Sequence, residues 1–126
     1  MLNGIGIDIV ETERVRGLLQ RYGERFIKRV LTDNEEAVFN RRGAKAAFLA
    51  SRFAAKEAAS KALGTGMRCG VGFKSFELVN DSLGKPQLVF HGEAELIRRA
   101  RNISRVQVSL SDERHYAVAM VVLESV

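Results

Sequence analysis

The sequence predicts an α+β fold in which a mostly antiparallel sheet packs against one long central helix. Three observations carry that prediction. Residues 3–10 alternate Ile5, Ile7 and Ile9 with Gly4, Gly6 and Asp8, the period-two pattern of a strand. Near the other end, Val106, Val108 and Leu110 alternate with Gln107, Ser109 and Ser111, and a further apolar run extends from Tyr116 to Leu123. Between these ends, residues 44–63 are rich in Ala, with Lys and Glu among them, and stop at Gly64, a normal helix terminator. Strands and helices alternate only in part, which favours α+β over a parallel arrangement.

The elements follow in order. The first strand places Asp8 on the side away from its isoleucines, because successive strand side chains point to opposite faces. A helix opens at Glu11 or Thr12, runs to about Arg21 and stops near Gly23. Thr32 and Glu35 have the spacing of a capping box, so a short helix follows to about Arg41. The long helix covers about Ala44 to Leu63. Phe73, Phe76, Leu78 and Val79 read as a strand, Asp81 to Pro86 as a turn, and Gln87 to Phe90 as a second strand. Leu96, Ile97 and Ala100 fall at helical spacing within 93–101. The last two strands form a hairpin through Asp112, Glu113 and Arg114.

A length of 126 residues suits a single domain spanning 1–126. No apolar run approaches the roughly 20 residues that cross a bilayer, so no membrane partner is expected. The first residues enter a strand pattern directly, without a basic region and long apolar stretch, so no signal peptide is expected. Cys69 is the one cysteine and has no internal disulfide partner, which together with those features points to the cytoplasm. The net charge of +5 favours anionic partners: nucleic acid, acidic proteins or phosphorylated small molecules. Trp is absent and the aromatic residues are not grouped as a platform for bases, which argues against nucleic acid.

Phe53, Glu57 and Lys61, four residues apart, share one face of the long helix. By spacing alone, Glu57 and Lys61 are a solvated ion pair worth about 0.3–0.5 kcal/mol, and Asp8 is a carboxylate on the solvated face of an edge strand. Taken together, Asp8 and Glu57 suit Mg²⁺, which is usually held by one or two carboxylates with waters and substrate phosphates. Lys61, one turn beyond Glu57, then neutralises a phosphate, and Gly64-Thr65-Gly66 lets backbone approach the ligand.

Two motifs, Gly4-Ile5-Gly6-Ile7-Asp8-Ile9-Val10-Glu11 and Phe53-x-x-Lys56-Glu57-x-x-Ser60-Lys61-x-x-Gly64-Thr65-Gly66, resemble those of the holo-(acyl-carrier-protein) synthase family of phosphopantetheinyl transferases. Gly84-Lys85-Pro86 and the stretch from Val108 to Ala117 add to the resemblance, which covers about residues 3–124. It implies the phosphopantetheinyl transferase fold and transfer of the 4′-phosphopantetheine group of coenzyme A to a serine of apo acyl carrier protein. Adenosine 3′,5′-bisphosphate is the expected leaving product, and fatty acid biosynthesis the expected setting. The resemblance further implies Mg²⁺ on Asp8 and Glu57, Lys61 on a coenzyme A phosphate, and Gly64, Thr65 and Gly66 against the ligand. A homotrimer with active sites between subunits is also implied.

The proton acceptor stays open at this level. Many family members carry a histidine where this chain has Asp112, and His115 follows three residues later. A carboxylate near pKa 3.9 is a weak base at neutral pH, whereas histidine near 6.5 is better matched. Asp112, His115 and a water beside the metal are the candidates, and both side chains equally suit a plain turn. His91 has no assigned role. The basic segment from Arg14 to Arg29 contains one acidic residue, Glu24. Arg14, Arg21, Arg25 and Lys28, with Leu18 between the first two, form one face if a helix continues past Gly23. Such a face is either plainly solvated or docks the acidic carrier protein. The family's first helix binds the carrier, with Arg14 at a matching position.

Overall fold

The computed structural model describes every residue, Met1–Val126. Its elements are β1 (Leu2–Glu11), α1 (Thr12–Tyr22), α2 (Glu24–Val30), α3 (Asp33–Arg41), α4 (Ala46–Leu63), β2 (Phe76–Asn80), β3 (Pro86–Phe90), α5 (Gly92–Ala100), β4 (Ile103–Asp112) and β5 (Tyr116–Ser125), with a 3₁₀ turn at Phe73–Ser75. All strand pairs are antiparallel. One sheet has the order β1-β5-β4, and β2 with β3 makes a separate two-stranded sheet. The α+β prediction holds, with α4 as the central helix. No helix is long and apolar enough to cross a membrane.

Helix α4 lies across one face of the three-stranded sheet. Its Ala54, Ala58 and Ala62 and the sheet's Ala119, Val121 and Leu123 are all buried in one apolar cluster. Small side chains let the helix approach closely, and this has an unexpected consequence for β1. The face of β1 turned to α4 carries Gly4, Gly6 and Asp8. The isoleucines face outward, with Ile5, Ile7 and Ile9 56%, 60% and 62% exposed. They pair across to Val122, Met120 and Val118 of β5.

The capping box forms as its spacing predicts. The Thr32 hydroxyl accepts a hydrogen bond from the Glu35 amide at 3.3 Å, and the Glu35 carboxylate accepts one from the Thr32 amide at 2.9 Å. Three boundaries differ from the sequence pattern. Phe73, expected in a strand with Phe76, lies in the 3₁₀ turn, and β2 begins at Phe76. Helix α4 begins at Ala46 because Gly43 and Ala44 have φ of 89° and 54°, which interrupts right-handed helix. The basic segment is two helices, since Gly23 at φ 53° turns the chain between α1 and α2. Arg14 and Arg21 therefore lie on one helix and Arg25 and Lys28 on the next, so the continuous basic helix face does not form.

Candidate active site

The site is built by the contact of β1 with α4. A Cβ added to Gly6 would lie 2.0 Å from the Ala58 carbonyl oxygen, and one on Gly4 would lie 2.0 Å from that of Ala62. Asp8 is the next side chain along this row. Its Oδ1 accepts a hydrogen bond from Lys61 Nζ at 3.0 Å, and the same ammonium donates to the Ile7 carbonyl at 3.0 Å. Lys61 thus pairs with Asp8 on the strand, not with Glu57 on its own helix. Asp8 is not a freely solvated edge carboxylate: its side chain is only 16% exposed.

Glu57 precedes Lys61 by one helical turn on the same side of α4. Burial pushes its carboxyl above the usual glutamate range, and the Asp8 carboxylate pushes it in the same direction. Lys61 and Arg14, from the start of α1, act against that shift. Asp8, Glu57, Lys61 and Arg14 therefore share one electrostatic environment.

Nowhere in the chain do three or more His, Cys, Asp or Glu side chains group as metal ligands. A pair of carboxylates is nonetheless the donor set that suits Mg²⁺, whose remaining positions go to waters and phosphate oxygens. Asp8 from β1 and Glu57 from α4 supply such a pair, and a dication would offset the unfavourable influence of the Asp8 carboxylate on Glu57.

The predicted glycine turn closes the end of α4. Gly64 is left-handed at φ 80° and its amide donates to the Lys61 carbonyl at 3.0 Å. The Gly66 amide, at φ 61°, reaches back to the Ser60 carbonyl at 3.1 Å. Thr65 Oγ1 donates to the Gly66 carbonyl at 2.8 Å. Gly64, Thr65 and Gly66 thus wrap the last turn of the helix that carries Glu57 and Lys61. Arg101 adds a hydrogen bond from Nη1 to the Leu63 carbonyl at 2.7 Å.

The two proton-acceptor candidates lie apart from this group. Asp112 lines a pocket with Arg42, Lys45 and Arg52 beside the start of α4. His115 is exposed in the turn between β4 and β5, and its backbone carbonyl accepts from the Thr12 amide at 2.9 Å. Neither side chain is hydrogen-bonded to Asp8, Glu57 or Lys61 within the chain.

Sequence reading missed a groove of about 470 Å³ between α1, α2 and α4. Leu18, Phe26, Phe53 and Phe73 form its apolar walls, and Arg25 and Arg29 its charged rim. The Phe53 ring lies 6.4 Å from Phe26 and 5.1 Å from Phe73, centroid to centroid. Phe53 is one turn before Glu57 on α4. Of the proposed docking residues, Leu18 and Arg25 line it, while Arg14 joins the carboxylates and Arg21 remains exposed on α1.

Residues 4–121 match the family model described as the 4′-phosphopantetheinyl transferase superfamily. The holo-(acyl-carrier-protein) synthase of Vibrio atlanticus (strain LGP32) is 54% identical to this chain over 122 residues, 97% of each chain. The solved holo-(acyl-carrier-protein) synthase of Neisseria meningitidis is 42% identical with a TM-score of 0.92, covering 99% of this chain and 100% of that one. The corresponding synthase of Bacillus anthracis, solved in complex with CoA (3′,5′-ADP), is 42% identical with a TM-score of 0.82 and covers 100% and 99%.

Proposed function

The chain belongs to the 4′-phosphopantetheinyl transferase superfamily, and from that premise we propose that it moves the 4′-phosphopantetheine arm of coenzyme A onto a serine of an acidic apo acyl carrier protein, as one domain over residues 1–126 acting in the cytoplasm and serving fatty acid biosynthesis. The observation that carries this reading is the meeting of Asp8, Glu57 and Lys61 at the contact of β1 with α4.

In this mechanism Asp8 and Glu57 would hold Mg²⁺. Bound there, the ion would supply Lewis-acid stabilisation and orientation to the pyrophosphate of coenzyme A. The residues position and neutralise, which is most of what catalyses phosphoryl-type transfer. Lys61 is half exposed at its side chain and can turn from Asp8 to a phosphate oxygen. The backbone at Gly64, Thr65 and Gly66 lies against the same ligand. The carrier serine oxygen forms a bond to the pantetheine-side phosphorus. The bond from that phosphorus to the bridging oxygen breaks, and adenosine 3′,5′-bisphosphate departs.

The serine proton needs an acceptor. The candidates are a water beside the carboxylate pair, Asp112 and His115, and the two side chains, which make no hydrogen bond to Asp8, Glu57 or Lys61 within one chain, would act from a neighbouring subunit. The outward face of β1 and β5, with Ile5, Ile7, Ile9 and Met120 exposed, supports a homotrimer in which such a neighbour is present. The carrier docks on α1 and α2, where Arg14, Arg21 and Arg25 complement its acidic surface and Leu18 supplies apolar contact at the groove.

Chromatography of the small-molecule products tests the reaction. Adenosine 3′,5′-bisphosphate should form at the expense of coenzyme A only when apo carrier protein and Mg²⁺ are both present. Its formation at the same rate without carrier, or in chelator, contradicts the proposal.

A further inference from the structure

Lys56, in the same motif as Glu57, takes no part in the chemistry above, yet it is fully buried in the chain's interior. Its ammonium is held by the Glu35 carboxylate and by the carbonyl of Val30, the last residue of α2. Glu35 is itself fixed three ways. It accepts from the Thr32 amide at 2.9 Å and the Leu78 amide of β2 at 2.9 Å, and its own amide donates to Thr32 Oγ1. The anchor therefore belongs to α3 and β2, not to α4.

Helix α4 needs such an anchor. Alanines give it close packing, and its large core contacts are few: Leu49 and Leu63, with Phe48 and Phe53 partly buried. Neighbouring helix residues differ by about 100°, so turning α4 by one residue would bring Lys56 or Ala58 to the place of Glu57. The fit of Gly4 and Gly6 against the backbone of α4 holds the helix close to β1. The buried ammonium adds a charged restraint on its rotation, because it has one paired position and an unpaired charge in the interior is strongly disfavoured.

We infer that Lys56 is a positioning residue for the transfer reaction: anchored by Glu35 and Val30, it sets the rotation of α4 that turns Glu57 toward Asp8. This rests on Glu57 acting as a metal ligand. Lys56 touches neither substrate nor metal and acts through the helix.

The test is Mn²⁺ binding followed by electron paramagnetic resonance, alongside steady-state kinetics, on Lys56→Met/Glu35→Gln, which removes both charges of the buried pair. The second variant, Glu35→Asp, keeps the pair but draws its carboxylate back by roughly one carbon–carbon bond of about 1.5 Å, and so guards against a double variant that does not fold. In each folded variant, Mn²⁺ affinity should fall about tenfold, as when a supporting partner of a metal site is lost. Activity should recover in excess Mn²⁺, while KM for the carrier protein stays within about twofold. A purely structural pair would lower the melting temperature and leave the metal requirement alone. Wild-type Mn²⁺ affinity in the folded variants overturns the inference. Glu57→Gln separates the two failures: if it too binds Mn²⁺ normally, the metal assignment itself is wrong.

Discussion

Gly6 of β1 sits against Ala58 of α4 so closely that a Cβ on the glycine would lie 2.0 Å from the Ala58 carbonyl oxygen. The obstacle is helix backbone, which cannot rotate aside as a side chain can. Gly4 stands in the same relation to Ala62. Two glycines thus bring a strand onto a helix, and the next residue in that row, Asp8, arrives beside Lys61 and Glu57.

Gly6→Ala should push β1 off α4. Overpacking of this kind costs about 1–3 kcal/mol, to be read by denaturant unfolding, and transfer activity should fall with it as Asp8 moves away from Glu57. Gly17, in the middle of α1, has nothing within 4 Å of an added Cβ. Gly17→Ala should instead stabilise the protein by about 0.5–1 kcal/mol. Equal effects of the two substitutions would contradict the packing account.

Glu57→Gln should trade function for stability. Burial first, and Asp8 second, raise the folded-state pKa of this carboxyl. A raised carboxyl opposes folding once it is ionised, so its cost is absent below the unfolded pKa, near 4.3. The cost grows as pH rises through the folded value. The glutamine variant should therefore melt higher than the parent at neutral pH, and the gap should close as pH falls through the ordinary glutamate range. Its transfer rate should drop about a hundredfold or more, as when a transition-state stabilising group is removed. A variant that melts lower at neutral pH would show that Glu57 supports the fold.

Carrier docking should be electrostatic. Arg14→Ala and Arg21→Ala should each raise KM for the carrier about two- to fivefold. The value of kcat/KM should fall as salt rises, because screening shortens the reach of exposed charges. A rate unchanged between low and high ionic strength would remove α1 and α2 as the docking surface.

The exposed isoleucines make the proposed homotrimer testable. Ile7→Asp places a charge on the outer face of β1, where the residue is 60% exposed and opposes Met120. The chain should still fold, since the core side of β1 is untouched. Sedimentation equilibrium should find the parent chain as a trimer and this variant as a monomer, with loss of transfer activity. A variant that stays trimeric would put the interface elsewhere.

Much of this was legible in the residues. Alternation placed Asp8 opposite the isoleucines, the Thr32 and Glu35 spacing gave the capping box, and Gly64 ended the long helix. Periodicity separates two faces of a strand but does not say which is buried. Here glycine meets alanine on the inside and isoleucine stays outside, against the usual preference of large apolar side chains. The burial of Lys56 was hidden because its partner, Glu35, lies 21 residues away in sequence. Glu35 itself was legible only as a capping residue. Asp112 and His115 were drawn toward the site by motif, but the strand order carries Asp112 into a basic pocket at the other end of α4.

In the proposed reaction the Asp8–Glu57 pair drives transfer of phosphopantetheine to a carrier protein. The decisive measurement is intact-mass analysis of apo acyl carrier protein incubated with coenzyme A and Mg²⁺. With the wild-type chain the carrier should gain the mass of one phosphopantetheine, and that gain should vanish in chelator and with Glu57→Gln. No gain with the wild type, or a full gain with Glu57→Gln in the same time, would contradict it.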